Sequence, residues 1–203
     1  MKRKEITNMT ITAIFIALLI VQTFVPNIGY VRILPALPAI TTIPLTIAIY
    51  GTIMGPKWGS MFGLVWGLTR LIVAYTQPGD MVSLLPFQNP IISLVPSILA
   101  GYFPGAITKL LMTRDNTVKR WGYALSGAVT SLTNTFLVIT LASLFFMNDP
   151  ASLTMYLGHF SQGTSLFVIL MISLGMNGLV EAIFTAVVVP MIVTPLNYVM
   201  KKA

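Results

Sequence analysis

Two ionisable side chains fall inside long apolar stretches of the sequence, Arg70 and Glu181, and these are the residues most in need of a chemical reason. A charge at the centre of a bilayer costs about 2.5–3.5 kcal/mol on insertion scales. Arg70 closes the run Trp66-Gly67-Leu68-Thr69-Arg70. A guanidinium stays charged and grips a carboxylate through two parallel hydrogen bonds. Arg70 therefore suits an anionic group on a ligand, and the structural alternatives are snorkelling to headgroups or pairing with Asp80. Glu181 follows Asn177 by four residues in Met176-Asn177-Gly178-Leu179-Val180-Glu181, so the two share one helix face. That face can edge a binding cavity, which suits Asn177. It can also lock two helices together, which suits Glu181, the deeper of the two.

Other polar groups add to this inventory. Asn134 sits amid Thr130-Ser131-Leu132-Thr133-Asn134-Thr135, where an amide either meets a ligand or bridges helices. Gln88 and Asn89 precede Pro90. Asn89 suits a helix N-cap, because proline is favoured in the first turn, while Gln88 can face an external pocket. Trp66, one turn before Arg70, can stack on a ligand. Trp58 and Trp121 read as aromatic-belt anchors. Tyr30, Tyr75 and Arg32 read as rim residues.

Several chemistries are missing. Gly55-Pro56-Lys57-Trp58-Gly59-Ser60 lacks the phosphate-cradling spacing of a P-loop. The single histidine, His159, has no further ligands nearby for a metal, and with Ser161 it forms no catalytic pair around a Gly-x-Ser-x-Gly elbow. No voltage-sensor arginine array or carbonyl filter is present. Neither an enzyme nor a channel is expected, and no catalytic residue, metal or cofactor is assigned.

The elements that must position these groups follow from composition. Of 203 residues, 8% are charged and 56% hydrophobic, with no cysteine. A soluble domain carries about 25% charged residues, so a water-soluble enzyme is excluded. So are a disordered chain and a disulfide scaffold. The expectation is an all-α membrane protein, a single bundle forming one domain over residues 1–203. A helix of about 20 apolar residues crosses a bilayer. Charge-free intervals place six transmembrane helices near 9–24, 37–54, 58–75, 90–111, 121–147 and 164–194. Breaks fall at Pro26-Asn27, Gly55-Pro56, Pro78-Gly79-Asp80, Arg114-Asp115-Asn116 and Asn148-Asp149-Pro150. The second span is crowded by Pro35, Pro38 and Pro44, which neighbouring helices can accommodate. Runs such as Phe167–Leu174 are apolar on every face, unlike the alternation of a membrane barrel. The start, Met1-Lys2-Arg3-Lys4 before an apolar run without a small-residue cleavage site, reads as a retained helix.

Charge sets the expected orientation. With both termini cytoplasmic, that side holds Lys2, Arg3, Lys4, Lys57, Lys109, Arg114, Lys119, Arg120, Lys201 and Lys202, against Arg32 and Arg70 outside. The positive-inside rule demands this bias. The net charge of +7 thus reflects topology, and no nucleic-acid partner is expected. No internal repeat or inverted pair of halves is evident.

One further motif is Ala13-Ile14-Phe15-Ile16-Ala17, whose small residues four apart let another helix approach. With it, the stretch Ile43-Pro44-Leu45-Thr46-Ile47-Ala48-Ile49-Tyr50-Gly51 leading into Gly55-Pro56-Lys57-Trp58-Gly59, then Phe87-Gln88-Asn89-Pro90 and Asn177-x-x-x-Glu181, resembles a substrate-binding S component of an energy-coupling factor (ECF) vitamin transporter. The resemblance spans nearly the whole chain and rests on overall pattern. It implies high-affinity capture of a vitamin in a pocket at the outer half of helices 4 to 6, closed by the loop near Val25–Leu37. It also implies docking through Ala13 and Ala17 onto a membrane coupling subunit of the EcfT type, which carries two ATPase subunits. The component then topples in the bilayer and releases its cargo inside. Within the family the sequence looks closest to pantothenate carriers, so that Arg70 would take the carboxylate and Gln88, Asn134 and Asn177 the amide and hydroxyls. Riboflavin, hydroxymethylpyrimidine, a pyridoxine-type vitamer and folate are alternative cargoes. A stand-alone secondary carrier, a membrane-embedded enzyme and a structural assembly protein are the alternatives of other classes.

Overall fold

The computed structural model describes residues 3–25, 28–31, 40–76, 85–113, 118–150, 153 and 164–202. Six helices account for most of them: α1 (Arg3–Phe24), α2 (Ile43–Met54), α3 (Pro56–Thr76), α4 (Pro90–Leu110), α5 (Arg120–Phe145) and α6 (Leu166–Lys202). A short 3-10 turn, Leu85–Gln88, leads into α4. Arg32, Asp80, His159, Ser161, the Pro26-Asn27 and Arg114-Asp115-Asn116 turns and most of the expected pocket-closing loop lie outside the described residues.

The helices match the expected spans closely at α3, α4 and α5. The second differs. Residues 37–54 were expected to be helical throughout, yet α2 starts only at Ile43, with Pro44 in its first turn. Proline fits there because its missing N–H has no partner in a first turn anyway. The residues before it form a two-residue antiparallel ladder, β1 (Tyr30–Val31) with β2 (Ile40–Thr41), paired Tyr30 to Thr41 and Val31 to Ile40. This ladder is the one departure from an all-helical fold among the described residues. The helix α6 runs well past the expected end at 194, through Pro190 and Pro195. Gly55, at φ 87°, ends α2 in a conformation that side chains disfavour.

Four helices are long and apolar enough to cross a membrane: Glu5–Phe24, Pro90–Leu110, Arg120–Phe145 and Leu166–Tyr198. The 21 residues of α4 rise about 31 Å, the thickness of a hydrocarbon core. The 12-residue α2 is too short to cross alone.

Beside an apolar core that includes Ile47, Ile92, Val189 and Val193, small hydroxyl residues are buried and large apolar ones exposed. Ser93, Ser97, Ser126, Thr130, Ser131 and Thr185 are all 0% exposed, whereas Leu110 is 83%, Met191 68% and Ile183 60% exposed. Lipid tails are as apolar as leucine, so helices meet through small and hydroxylated residues and turn their large apolar ones outward.

The tightest seam joins α3 to α4. Gly59, Gly63 and Gly67 recur every four residues along α3, and a Cβ on any of them would run into α4 backbone at Gly101, Ser97 or Leu94. Ser93 Oγ donates across the seam to the Gly67 carbonyl at 2.7 Å. The α5–α6 crossing is made the same way, Gly127 against Thr185 and Gly178 against Thr135. Each of these pairs is antiparallel. Tyr123 and Asn197 bond across α5 and α6 (3.0 Å), and Thr12 and Tyr50 across α1 and α2 (3.0 Å). The start of α1, the end of α6 and the helix-terminal Lys57, Lys109, Lys119 and Arg120 therefore share one end of the bundle.

Packing of α1 is looser. Phe15 and Leu19 face inward, Phe15 tilted against Tyr50 at 5.3 Å. The share of its apolar window buried by the chain is 6%, against 50% for α4.

Candidate functional site

Arg70 and Glu181 sit away from the lysine-bearing end of the bundle. Arg70 extends from α3 across the glycine seam. Its Nη1 donates to Asn134 Oδ1 on α5 (2.8 Å) and to Ser97 Oγ on α4 (3.2 Å). The guanidinium lies 3.7 Å from the centre of the Phe87 ring and 4.7 Å from that of Trp66. A cation held against aromatic faces is stabilised by the ring quadrupole, more so away from water. Close approach of α3 to α4 at Gly67, packed on Leu94, puts Arg70, one turn on, within reach of Ser97. Trp66 and Arg70, one turn apart, then lie on the same face.

Glu181 on α6 anchors a different segment. Its Oε1 accepts from the Thr41 backbone N–H (2.9 Å), from the Thr41 hydroxyl (2.7 Å) and from Asn177 Nδ2 (3.4 Å). The adjoining Thr42 is held in turn: Gln22 Nε2 of α1 donates to its hydroxyl (3.0 Å), and its own N–H donates to the Gly29 carbonyl (2.9 Å). Thr46 completes the set by donating to Gln22 Oε1 (2.9 Å). The β ladder is thus fastened to α1 and α6 by side chains, not by its own two residue pairs.

Asn177 has one amide group engaged and one open. Its nitrogen meets Glu181, while its Oδ1 is buried with no hydrogen-bond partner among the described residues. An unmatched buried acceptor costs about 1–3 kcal/mol, so a site that retains one is suited to a ligand donor. Asn134 and Asn177 each adjoin the Thr135–Gly178 contact, which brings the two amides to the same level of the α5–α6 crossing.

Gln88 and Asn89 work differently. The Asn89 side chain accepts the Ile91 N–H at 2.9 Å and caps α4. Gln88 Nε2 donates to the Ala74 carbonyl (3.1 Å), and its backbone carbonyl accepts from Tyr75 Oη (3.0 Å). These bonds fasten the turn to the end of α3 and so set Phe87 over Arg70.

The sequence-selected residues therefore fall into groups. Trp66, Arg70 and Asn134 are brought into one cluster, Asn177 and Glu181 into an adjacent one, and Gln88 and Asn89 frame the turn. Ala13 and Ala17 are exposed on the outer face of α1. Three residues were missed. Ser97 belongs to a readable series, Ser93-x-x-x-Ser97-x-x-x-Gly101, and Phe87 stands next to Gln88. Nothing local marks Thr41, whose partner is 140 residues away.

In chemical terms the arrangement offers a guanidinium on an aromatic bed, two amides and a hydroxyl. Such a set recognises a small molecule with an acidic group and several hydrogen-bonding groups.

Comparison with known proteins identifies the family. The family model described as "ECF transporter, substrate-specific component" matches residues 7–193. The "Pantothenate transporter PanT" of Leuconostoc mesenteroides is 32% identical over 151 residues, covering 72% of this chain and 72% of that protein. The "Pantothenic acid transporter PanT" of Lactococcus lactis is 32% identical over 160 residues, covering 72% of this chain and 77% of that protein. With a family match that runs from α1 to α6 and a surface built for lipid, the chain is a multi-pass membrane protein and belongs to the substrate-specific components of ECF transporters.

Proposed function

We propose that the chain captures pantothenate with high affinity for uptake. The observation that carries this reading is Arg70, held over Phe87 and tied to Asn134 within the bundle. In this reading Arg70 binds the carboxylate of pantothenate. Asn134 and Asn177 serve its hydroxyls and amide, with the unmatched Asn177 Oδ1 as acceptor. Trp66 and Phe87 flank the ligand, and Gln88 and Asn89 shape the entrance. Glu181 completes the polar wall through Asn177 and Thr41. The names of the two PanT relatives support the choice of cargo.

The remaining parts of the reading concern the assembly. All six helices cross the membrane as one unit with both termini cytoplasmic, which puts the basic end of the bundle inside as charge bias requires. The exposed Ala13 and Ala17 dock on a membrane coupling subunit, two partner ATPases supply the energy, and the component topples to release its cargo.

Binding of pantothenate and of pantothenol, its neutral alcohol analogue, to purified protein tests the site. Arg70→Gln is expected to weaken pantothenate about ten- to a hundredfold and to leave pantothenol nearly unchanged. Equal losses for the two would remove Arg70 from carboxylate recognition. Uptake into vesicles should require the coupling subunit and ATPases; uptake by the isolated chain on an ion gradient would identify a stand-alone carrier instead.

A further inference from the structure

Where α5 begins and α6 ends, the two helices leave a groove of about 750 Å³ on the outer surface of the bundle. Its origin is local. Tyr123 and Asn197 hold the helices together on the inner side, while the small Ala124 leaves space on the outer side. Opposite it, Pro190 and Pro195 interrupt the backbone ladder of α6 and replace long side chains with compact rings.

The lining has a consistent polarity. Pro190 and Met191 supply apolar walls, and Met191 is 68% exposed in the chain as it stands. Among the described residues, Arg120, the first residue of α5, is the charged residue of the lining, and exposed Lys119 precedes it. Trp121 and Tyr198, exposed by 56% and 63%, flank the same groove. Tryptophan and tyrosine favour the headgroup level of a membrane, and basic pockets between transmembrane helices hold anionic headgroups. An apolar groove that ends in a guanidinium at headgroup depth matches an amphiphile with a phosphate at one end. A free phosphate would make no use of the apolar walls.

We propose that this groove is a binding site for an anionic phospholipid of the surrounding bilayer. The phosphate sits on Arg120 between Trp121 and Tyr198, and an acyl chain lies along Ala124, Pro190 and Met191. The lipid pins the α5–α6 end of the bundle at the membrane surface, away from the vitamin site.

Native mass spectrometry of the whole chain in micelles tests this, with phosphatidylglycerol or phosphatidylcholine of matched acyl chains added. Phosphatidylglycerol should be retained preferentially. Arg120→Gln should reduce that preference about fivefold, the worth of one basic residue at an anionic surface, while Arg120→Lys should keep most of it. Ala124→Leu, which narrows the groove, should lower retention of both lipids. Thermal unfolding of each variant reports whether it is folded, and the comparison of the two lipids on the unaltered chain needs no variant. Equal retention of the two lipids by the unaltered chain would overturn the proposal and leave the groove to a helix of a partner protein. An unchanged preference in Arg120→Gln, or displacement of the lipid by glycerol phosphate alone, would overturn it as well.

Discussion

The α3–α4 seam and α1 use the same device in opposite ways. Both carry small residues four apart: Gly59, Gly63 and Gly67 on α3, Ala13 and Ala17 on α1. On α3 the small face is filled, with backbone of α4 lying where a Cβ would stand. On α1 it is empty, with both alanines exposed while Phe15 and Leu19 turn inward. A small-residue repeat thus says that a backbone can come close, and not whose backbone it is. Where the chain itself supplies the partner, the result is a rigid wall across which Arg70 can reach Ser97 and Asn134. Where it does not, the face is free for another protein, which is the role proposed for α1.

Four substitutions put numbers on this contrast. The largest effect belongs to the seam. Gly63→Ala forces a methyl against the Ser97 carbonyl and should cost about 1–3 kcal/mol, read as a lower unfolding midpoint in mixed micelles. An unshifted midpoint would mean that the seam is slack. Next comes Glu181→Ala, which strips Thr41 of the acceptor for its N–H and hydroxyl. It too should destabilise, by about 1–2 kcal/mol, with faster amide exchange at Thr41 than elsewhere in the fold. Uniform exchange across the chain would show that Glu181 does not hold the ladder. Gln22→Leu removes the polar tie between α1 and the Thr42–Thr46 segment, and interhelical bonds of this kind are worth about 0.6 kcal/mol in membranes. A loss as large as that at Gly63 would place α1 in the same rigid unit as α3 and α4. Ala13→Leu should be smallest in stability, within about 0.5 kcal/mol, and should leave pantothenate binding intact while abolishing uptake with the partner subunits. Normal uptake by this variant would end the docking role of α1.

Much of the architecture could be read along the chain. Charge-free intervals located all six helices, and three of them to within a few residues, because an unbroken apolar run in a membrane protein has few other ways to satisfy its backbone. The start of α2 falls at Ile43 and not at 37, because Pro44 suits a first helical turn and Ile40–Thr41 pair with Tyr30–Val31 in a ladder. The glycine repeat of α3 was legible by spacing and was overlooked in favour of the weaker alanine pair of α1. Residue type singled out Arg70, Asn134, Asn177 and Trp66, of which the fold brings Trp66, Arg70 and Asn134 into contact. The cap role of Asn89, legible from the Pro90 that follows it, is made by its bond to Ile91.

Sequence alone determined the solvent, the helices and the clustering of basic residues at helix ends. These follow from composition and local periodicity, which each segment carries by itself. Tertiary structure alone decided that Arg70 rests on Phe87, that Glu181 holds Thr41, and that one small-residue stripe is buried while the other is bare. Those outcomes depend on which helix faces which and at what height. Residues up to 140 positions apart settle that jointly, through packing that no single segment encodes.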